Sequence, residues 1–487
     1  MHYSQEDTQI HGLASRIAGE VLVPGAPGYE SARKPAMARW HDSRPRAVVM
    51  CDSASDVAET LAFARRSGVH VAARSGGHCF AGRSSTPGIV IDVSPMSSVS
   101  VEAGVATVGA GTRLADLYDA LDESDLTIPA GCGPTVGIAG LTLGGGLGIL
   151  GRKHGLTCDR LVAARVVLAD GRVVDCDEQR HADLFWALRG AGAGQFGIVT
   201  SLAFETVPAP AATTFHLVWP AADAAAVIEA WQGWAPDAPD ELDANLRLGG
   251  DDALVVNLFG AMLGAESDTV ELLDGLVARV GADPDAASHQ HLPYRAAKQA
   301  LVGLGSAEEA EPDRPRLVFS KSEFFRRPLP AETIAALVRG LGHGRSGGES
   351  RELNFTPMGG AYNRVPADAT AFAHRDERYL VEHVLVADPD APAVGREWVA
   401  RSWATTHPWG SGRVYPNFPD PEVANWPEAY YGDNYERLLR VKRAYDPDNL
   451  LRFAEQSLGS LPADDGGQRG LRRRPPGAGH GAPRTDR

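Results

Sequence analysis

The chain has 487 residues, of which 44% are hydrophobic and 22% charged, with 54 glycines and a formal net charge of −15. That length builds more than one domain or one large composite one. The negative balance excludes non-specific binding to DNA or RNA, which needs clustered Lys and Arg, and no apolar run has transmembrane length.

Met1 to Glu20 is polar and mixed in charge, without the apolar core of a signal peptide, so a cytoplasmic protein with no membrane partner is expected. The five cysteines, Cys51, Cys79, Cys132, Cys158 and Cys176, are odd in number and show no metal-site spacing. Neither disulfides nor a metal centre are expected.

In chain order, a short helix is predicted near Gln9–Glu20, followed by the turn cluster Pro24-Gly25-Ala26-Pro27-Gly28. Ala47–Cys51 reads as a buried strand. Asp52-Ser53-Ala54-Ser55 supplies a helix N-cap region, and Val57, Leu61, Phe63 and Ala64 recur at helical spacing within Asp56–Arg66. Val69–Ala73 is the next strand. It leads into the turn Arg74-Ser75-Gly76-Gly77-His78-Cys79-Phe80-Ala81-Gly82. Paired glycines there remove the Cβ atoms that keep a backbone away from a ligand, and successive amides in such a turn can converge on one anion. Ile89–Asp92 and Ser98–Val108 continue as strands. Gly109-Ala110-Gly111-Thr112-Arg113 opens a helix over Leu114–Leu121. It lacks the third glycine of a dinucleotide fingerprint, so helix-start geometry ranks ahead of cofactor contact.

A second glycine cluster spans Pro129–Gly148, with seven glycines from Gly133 to Gly148. A flexible linker would be rich in Ser. Here Val136, Ile138, Leu141, Leu143 and Leu147 can bury themselves while the glycines admit something close to the backbone. A flat cofactor carrying a pyrophosphate fits that description. Arg160–Leu168 and Arg172–Val174 then flank Ala169-Asp170-Gly171, a β-hairpin signal. Asp183–Arg189 reads as a short helix, and Gly190–Val199 is a third place where backbone can approach a ligand. Val207-Pro208-Ala209-Pro210 marks a boundary. From Thr213 to about Gly412, strands such as Thr214–Trp219 and Ala253–Phe259 alternate with helices such as Ala222–Trp234, Thr269–Val280 and Ala331–Leu341, without glycine nests. Leu304–Arg314 reads as an acidic surface loop and Tyr435–Tyr445 as a helix stopped at Asp446-Pro447. The tail Leu461–Arg487 is rich in Gly, Pro and Arg, a composition that predicts disorder.

Four segments occur in a telling order: Arg74-Ser75-Gly76-Gly77-His78, the Gly137–Gly148 run, Asp183-Leu184-Phe185-Trp186-Ala187-Leu188-Arg189-Gly190, and Tyr415-Pro416-Asn417-Phe418. On these, from about Arg44 to about Leu458, the chain resembles the FAD-linked oxidases of the berberine bridge enzyme-like family, within the vanillyl-alcohol oxidase (PCMH-type FAD-binding) fold. The resemblance implies an α+β fold with a two-lobed FAD-binding domain at 41–210. A substrate domain at 211–412 follows, whose antiparallel sheet roofs the flavin. A C-terminal segment at 413–460 returns to the FAD domain, with an N-terminal segment at 1–40 and a disordered basic tail at 461–487. FAD is the implied cofactor, a small organic molecule the implied substrate and O2 the implied electron acceptor. Implied cofactor contacts are Arg74, Ser75, Gly76, Gly77, His78, Cys79 and Gly82, then Cys132, Thr135, Val136, Gly137, Gly140, Gly144, Gly145, Gly146 and Gly148, and Asn417. The adenine end is implied near Gly197, Ile198 and Val199.

His78 taken alone reads as a turn histidine capping a carbonyl. By resemblance it matches the histidine that bonds to the flavin 8α-methyl. A neutral imidazole nitrogen is a competent nucleophile for that bond, and the bond makes the ring more oxidising. Relatives form a second bond through a cysteine directly before a Pro-x-Val-Gly run. Here that run is Pro134-Thr135-Val136-Gly137, the residue before it is Gly133, and Cys132 stands one position early. In extended chain such a shift turns a side chain to the other face, so a single bond through His78 is expected ahead of a double one.

Phe418 stands where several relatives carry a tyrosine base, which excludes that chemistry at this position. Tyr415 and Asn417 remain catalytic candidates, with a packed core tyrosine as the plain alternative for Tyr415. Glu382 is the better candidate. In a strand over Tyr379–Val386, Leu380, Glu382, Val384 and Val386 share one face and His383 takes the other. A carboxylate in apolar surroundings is desolvated and poised as a general base. A glutamate at a sheet edge or paired with an arginine is an equal reading. The expected activity is oxidation of a secondary metabolite, alcohol or sugar by hydride transfer to FAD. The alternatives are a flavin dehydrogenase with another acceptor and a flavin-bearing sequestering protein with little turnover.

Overall fold

The computed structural model describes residues 10, 12–250, 253–304, 316–345, 347–389 and 394–459. The predicted acidic loop, apart from Leu304, and the tail Leu461–Arg487 lie outside the described residues.

The first lobe is the predicted strand–helix–strand unit. Ala47–Met50 and Val71–Arg74 both pair in parallel with Ile89–Asp92, which lies between them. The intervening helix, Ala54–Ser67, starts at the predicted cap: the Asp56 amide donates to Ser53 Oγ at 3.2 Å. Its end is set by Gly68, left-handed at φ 63°. Glu20–Leu22 adds an antiparallel edge strand to Ala47–Met50. This corrects the helix expected over Gln9–Glu20. Helical residues described there are Ile10 and 12–14, and the chain is extended from Glu20 because Leu22 docks against Tyr29, Val48 and Val90.

The second lobe is a five-stranded antiparallel sheet, in the order Val99–Glu102, Val105–Gly109, Ile198–Glu205, Leu161–Val167 and Val173–Cys176. The hairpin predicted at Asp170-Gly171 is its last pair, with Gly171 at φ 90°. A helix over Ile138–Leu143 interrupts the glycine run. No local signal announces it, because Gly137 and Gly140 lower helix propensity.

Above both lobes lies a seven-stranded antiparallel sheet. Its order is Ala286–Leu292, Ala212–Pro220, Val255–Leu263, Leu242–Gly249, Glu349–Pro357, Tyr379–Ala387 and Leu317–Phe325. Helices Ala224–Trp234, Glu266–Val280, Ala331–Gly342 and Val394–Thr406 cover its outer face, and Trp219, Trp231, Phe355 and Tyr379 are buried in the layer between. Its inner face turns to the glycine-rich lobes. Phe259, Ala261 and Leu263 join their core, while Phe324 and Leu380 pack with Leu156, Phe372 and Tyr415.

The chain then returns to the lobes. Val414, Tyr430, Tyr431, Leu438, Val441 and Leu458 belong to the same core as the first two sheets. Lys442, on the predicted helix Tyr435–Tyr445, is buried there. Its three protons have three acceptors: Asp446 Oδ2 at 2.7 Å, the Gln195 carbonyl at 2.7 Å and the Leu451 carbonyl. A buried cation is tolerated on those terms. All five cysteines are present as thiols. Among the described residues no helix is long and apolar enough to cross a membrane.

Candidate active site

The strand Val71–Arg74 delivers the first glycine turn. Arg74 braces its back: the buried guanidinium donates to the carbonyls of Ala32, Arg33 and Ser84 and to Ser85 Oγ. Ser75 Oγ donates to the Ala110 carbonyl at 2.7 Å. Gly77 is left-handed at φ 77°. Gly82 leaves room for the Trp40 indole, whose Nε1 donates to the Phe80 carbonyl at 3.1 Å. A Cβ on Gly76 would lie 2.3 Å from the Gly137 nitrogen, so the two glycine clusters meet backbone to backbone.

The amides of Gly76, Gly77, His78 and Cys79 donate to no group among the described residues. Four adjacent N–H groups in a turn with a left-handed residue are the donors of an anion nest, and leaving such groups without an acceptor is costly. The turn therefore fits the pyrophosphate of a dinucleotide. His78 Nε2 lies 2.9 Å from Thr135 Oγ1. Burial, and then the charge of Arg113, lower the His78 pKa to about 4, so the imidazole is neutral at pH 7.

The second cluster differs. What its glycines admit is protein: an added Cβ would strike Asn417 at Gly144, Phe372 at Gly145, Thr157 at Gly146 and the Ala130 carbonyl at Gly148. Its amides are also taken. Tyr415 Oη accepts from the amides of Gly146 at 3.0 Å and Leu147 at 3.2 Å, and from Asn417 Nδ2 at 3.1 Å. Tyr362 Oη accepts from the Gly148 amide at 3.2 Å and donates to its carbonyl at 3.0 Å. Asn417 Nδ2 also donates to the Leu141 carbonyl at 2.9 Å.

Tyr415 thus serves as a clamp in an aromatic core, and burial raises its pKa to about 12. That matches a packed tyrosine and opposes loss of its proton near neutrality. Gly140 is the exception in the run, since an added Cβ there meets nothing within 4 Å. Val136 packs partly buried against the main core. Gly197 presses on Val166, and Ile198 and Val199 are buried at the start of their strand.

Between floor and roof lies a cavity of about 240 Å³. Gly131, Cys132, Gly133, Leu147, Gly148 and Ile149 line it from the floor, and Asp243, Asn245, Phe259, Asn354, Thr356 and Glu382 from the roof; Tyr362 and Phe418 complete its walls. Leu380, Val384 and Val386 pack toward the lobes on the predicted face of the strand Tyr379–Ala387, and buried Glu382 shares that face. The strand has a neighbour on each side, so Glu382 is not at a sheet edge. Ser320 Oγ donates to Glu382 Oε1 at 2.5 Å. His383 faces the helices as predicted, with Nδ1 2.8 Å from Ser402 Oγ and Nε2 3.2 Å from Thr406 Oγ1. Burial lowers its pKa to about 3.

Cys132 lines the same cavity even though it is one residue early, because Ala130–Gly133 is an irregular loop and strand alternation does not govern it. Beside it, buried Lys298 holds its Nζ 3.8 Å from Cys132 Sγ and donates to the carbonyls of Ala130 and Gly131. Lys298, Asp243, Asn245, Asn354, Thr356 and Tyr362 are site residues that sequence reasoning missed. The available signal was the polar–apolar alternation of Leu242–Leu248 and Glu352–Thr356, which ordinarily marks a solvent-facing strand.

Family comparison agrees with this geometry. The FAD binding domain family matches residues 45–177, and the berberine and berberine like family matches residues 414–458. An FAD-linked oxidoreductase of Bacillus subtilis, YgaK, is 32% identical over 92% of this chain and 98% of its own length. Reticuline oxidase of Eschscholzia californica is 26% identical over 88% of this chain and 87% of its own length. The solved structure of Physcomitrella patens BBE-like 1 superposes with a TM-score of 0.83 at 27% identity, covering 92% of this chain and 98% of that one. With fold, site and relatives in agreement, this chain belongs to the berberine bridge enzyme-like family of FAD-linked oxidoreductases.

Proposed function

We propose that the protein is an oxidase that carries its FAD covalently through His78 and oxidises a small organic substrate in the cavity beneath the seven-stranded sheet, with O2 as acceptor. Residues 41–210 and 413–460 form the FAD-binding part and 211–412 the substrate-binding part. The observation that carries the reading is Glu382, a buried carboxylate on the cavity side of the roof, facing a glycine-rich floor.

Bound there, FAD supplies the two-electron acceptor for hydride and the route to O2 that yields hydrogen peroxide. The chain's own residues do the rest. The amides of Gly76 to Cys79 hold the pyrophosphate, the open backbone at Gly140 lies along the cofactor, and Gly197 to Val199 border its adenine end. His78, neutral at its ring nitrogen, would be the residue that attaches the cofactor, and Cys132 lines the cavity without being required for that attachment. Glu382, oriented by Ser320, takes the proton from the substrate's O–H or N–H. Leu147 and Phe418, which pack with Leu380 on the same face, keep water from that proton. With Phe418 in place of the tyrosine base, a secondary metabolite fits the site better than a simple sugar.

Anaerobic mixing with alcohols, sugars and cyclic amines tests the reading. A substrate bleaches the flavin, air restores its colour, and hydrogen peroxide appears. Glu382→Gln slows bleaching by about 10²- to 10⁴-fold. A flavin that binds ligands and is never bleached contradicts an oxidase and favours a sequestering protein; bleaching that air does not reverse points to another acceptor.

A further inference from the structure

The cavity holds a second carboxylate, for which the proposed reaction has no use. Asp243 lies on the strand Leu242–Gly249 and is 4% exposed. Alternation sends Ala244, Leu246 and Leu248 into the core under the helices and turns Asp243 and Asn245 to the cavity. Strand register fixes its distance from Glu382. Glu382 pairs with Asn354, and Asn354 with Arg247 on the strand that carries Asp243. Two ladder steps of about 4.8 Å and four residues of about 3.4 Å put the two α-carbons about 17 Å apart. The carboxylates therefore mark opposite ends of an elongated site.

Asp243 is under-supplied with donors. Asn245 Nδ2 donates to Asp243 Oδ2 at 2.7 Å, and among the described residues no other hydrogen bond reaches its side chain. The two cations whose charge reaches it make their hydrogen bonds elsewhere. Arg152 donates to the carbonyls of Pro236, Ala238 and Met358, and Lys298 to those of Ala130 and Gly131. Both act on Asp243 only through their charge, and the net effect of burial is a raised pKa. A carboxylate so buried is costly unless paired and hydrogen-bonded, and the group that completes it has to come from the cavity.

Resting on the reading of this cavity as the substrate site, we infer that Asp243 binds a protonated amine of the substrate, at the end remote from Glu382. An ammonium brings three donors and a charge in direct contact, for which Asp243 and the side-chain oxygen of Asn245 are the acceptors on hand. A neutral hydroxyl would bring one donor and no contact ion pair, leaving Asp243 only the pull of Arg152 and Lys298. Phe259, Leu301 and Ile149 give that end apolar walls for the hydrocarbon next to the nitrogen. A net charge of −15 also draws cations toward the protein.

The test uses the flavin-loaded protein and two probes of equal shape, 2-phenylethylammonium and 2-phenylethanol, followed by perturbation of the flavin spectrum. Wild type binds the ammonium about tenfold or more tightly than the alcohol. Asp243→Asn removes that preference and keeps the affinity for the alcohol, which also shows that the variant is folded, while Glu382→Gln retains the preference. Equal binding of the two probes by wild type would overturn the inference. So would failure of the ammonium to bind, a preference that survives Asp243→Asn, or one that Glu382→Gln abolishes. Failure of the oxidase reading is a separate result, a flavin that no ligand reduces, and leaves this binding comparison readable.

Discussion

The turn Gly76–Cys79 and the run Gly144–Gly148 look alike in sequence and do opposite work. In the first, four adjacent amides have no acceptor among the described residues. In the second, the amides of Gly146, Leu147 and Gly148 are tied to tyrosine hydroxyls, and the space left by each missing Cβ is filled by protein. The first carries the donors of an anion nest. The second is a seam where the lobes, the roof and the returning C-terminal segment are stitched together. A glycine's purpose is decided by what lies beside its α-carbon.

Substitutions can break this contrast. Gly76→Ala has the largest expected effect. Its Cβ would lie 2.3 Å from the Gly137 nitrogen and 2.9 Å from the Thr135 carbonyl oxygen. Backbone cannot yield as a side-chain tip does, so the variant loses about 1–3 kcal/mol or more of stability together with flavin uptake. Normal flavin content in Gly76→Ala would show that the two clusters do not interlock as described.

Tyr415→Phe comes next. It strips the acceptor from the Gly146 and Leu147 amides, at a cost of about 1–3 kcal/mol for each buried group left unpaired. Denaturant titration should show that loss in protein produced without flavin as well as in the loaded form. Were the second run a cofactor cradle, the loss would appear only in flavin affinity.

Gly140→Ala has the smallest effect on the fold. An added methyl meets nothing within 4 Å, so stability stays within about 0.5 kcal/mol. Flavin incorporation should fall all the same, because the methyl stands where the cofactor is proposed to lie. Unchanged stability with unchanged flavin incorporation would remove Gly140 from the cofactor's path.

The floor of the site was legible and most of the roof was not. The strand–helix–strand unit, the Ser53 cap, the Gly171 hairpin and the Arg74–Gly82 turn all carry local signals, and local physics decides them. The cavity-facing side of Glu382 was legible too, because alternation over Tyr379–Ala387 is strict. Asp243, Asn245 and Asn354 were hidden by the same alternation. A polar residue at every second position reads as solvent-facing, and only docking of the sheet onto the lobes buries it. Tyr415 was flagged by its motif, yet its partners lie in a glycine run some 269 residues earlier, a pairing that no local pattern encodes.

The attachment of the flavin is read most directly from the mass of the acid-denatured protein, wild type beside His78→Ala and Cys132→Ala. The mass of FAD should remain on wild type and on Cys132→Ala and be absent from His78→Ala. FAD mass retained by His78→Ala would mean that another residue, with Cys132 nearest at hand, makes the bond, and a wild type without it would contradict covalent attachment altogether.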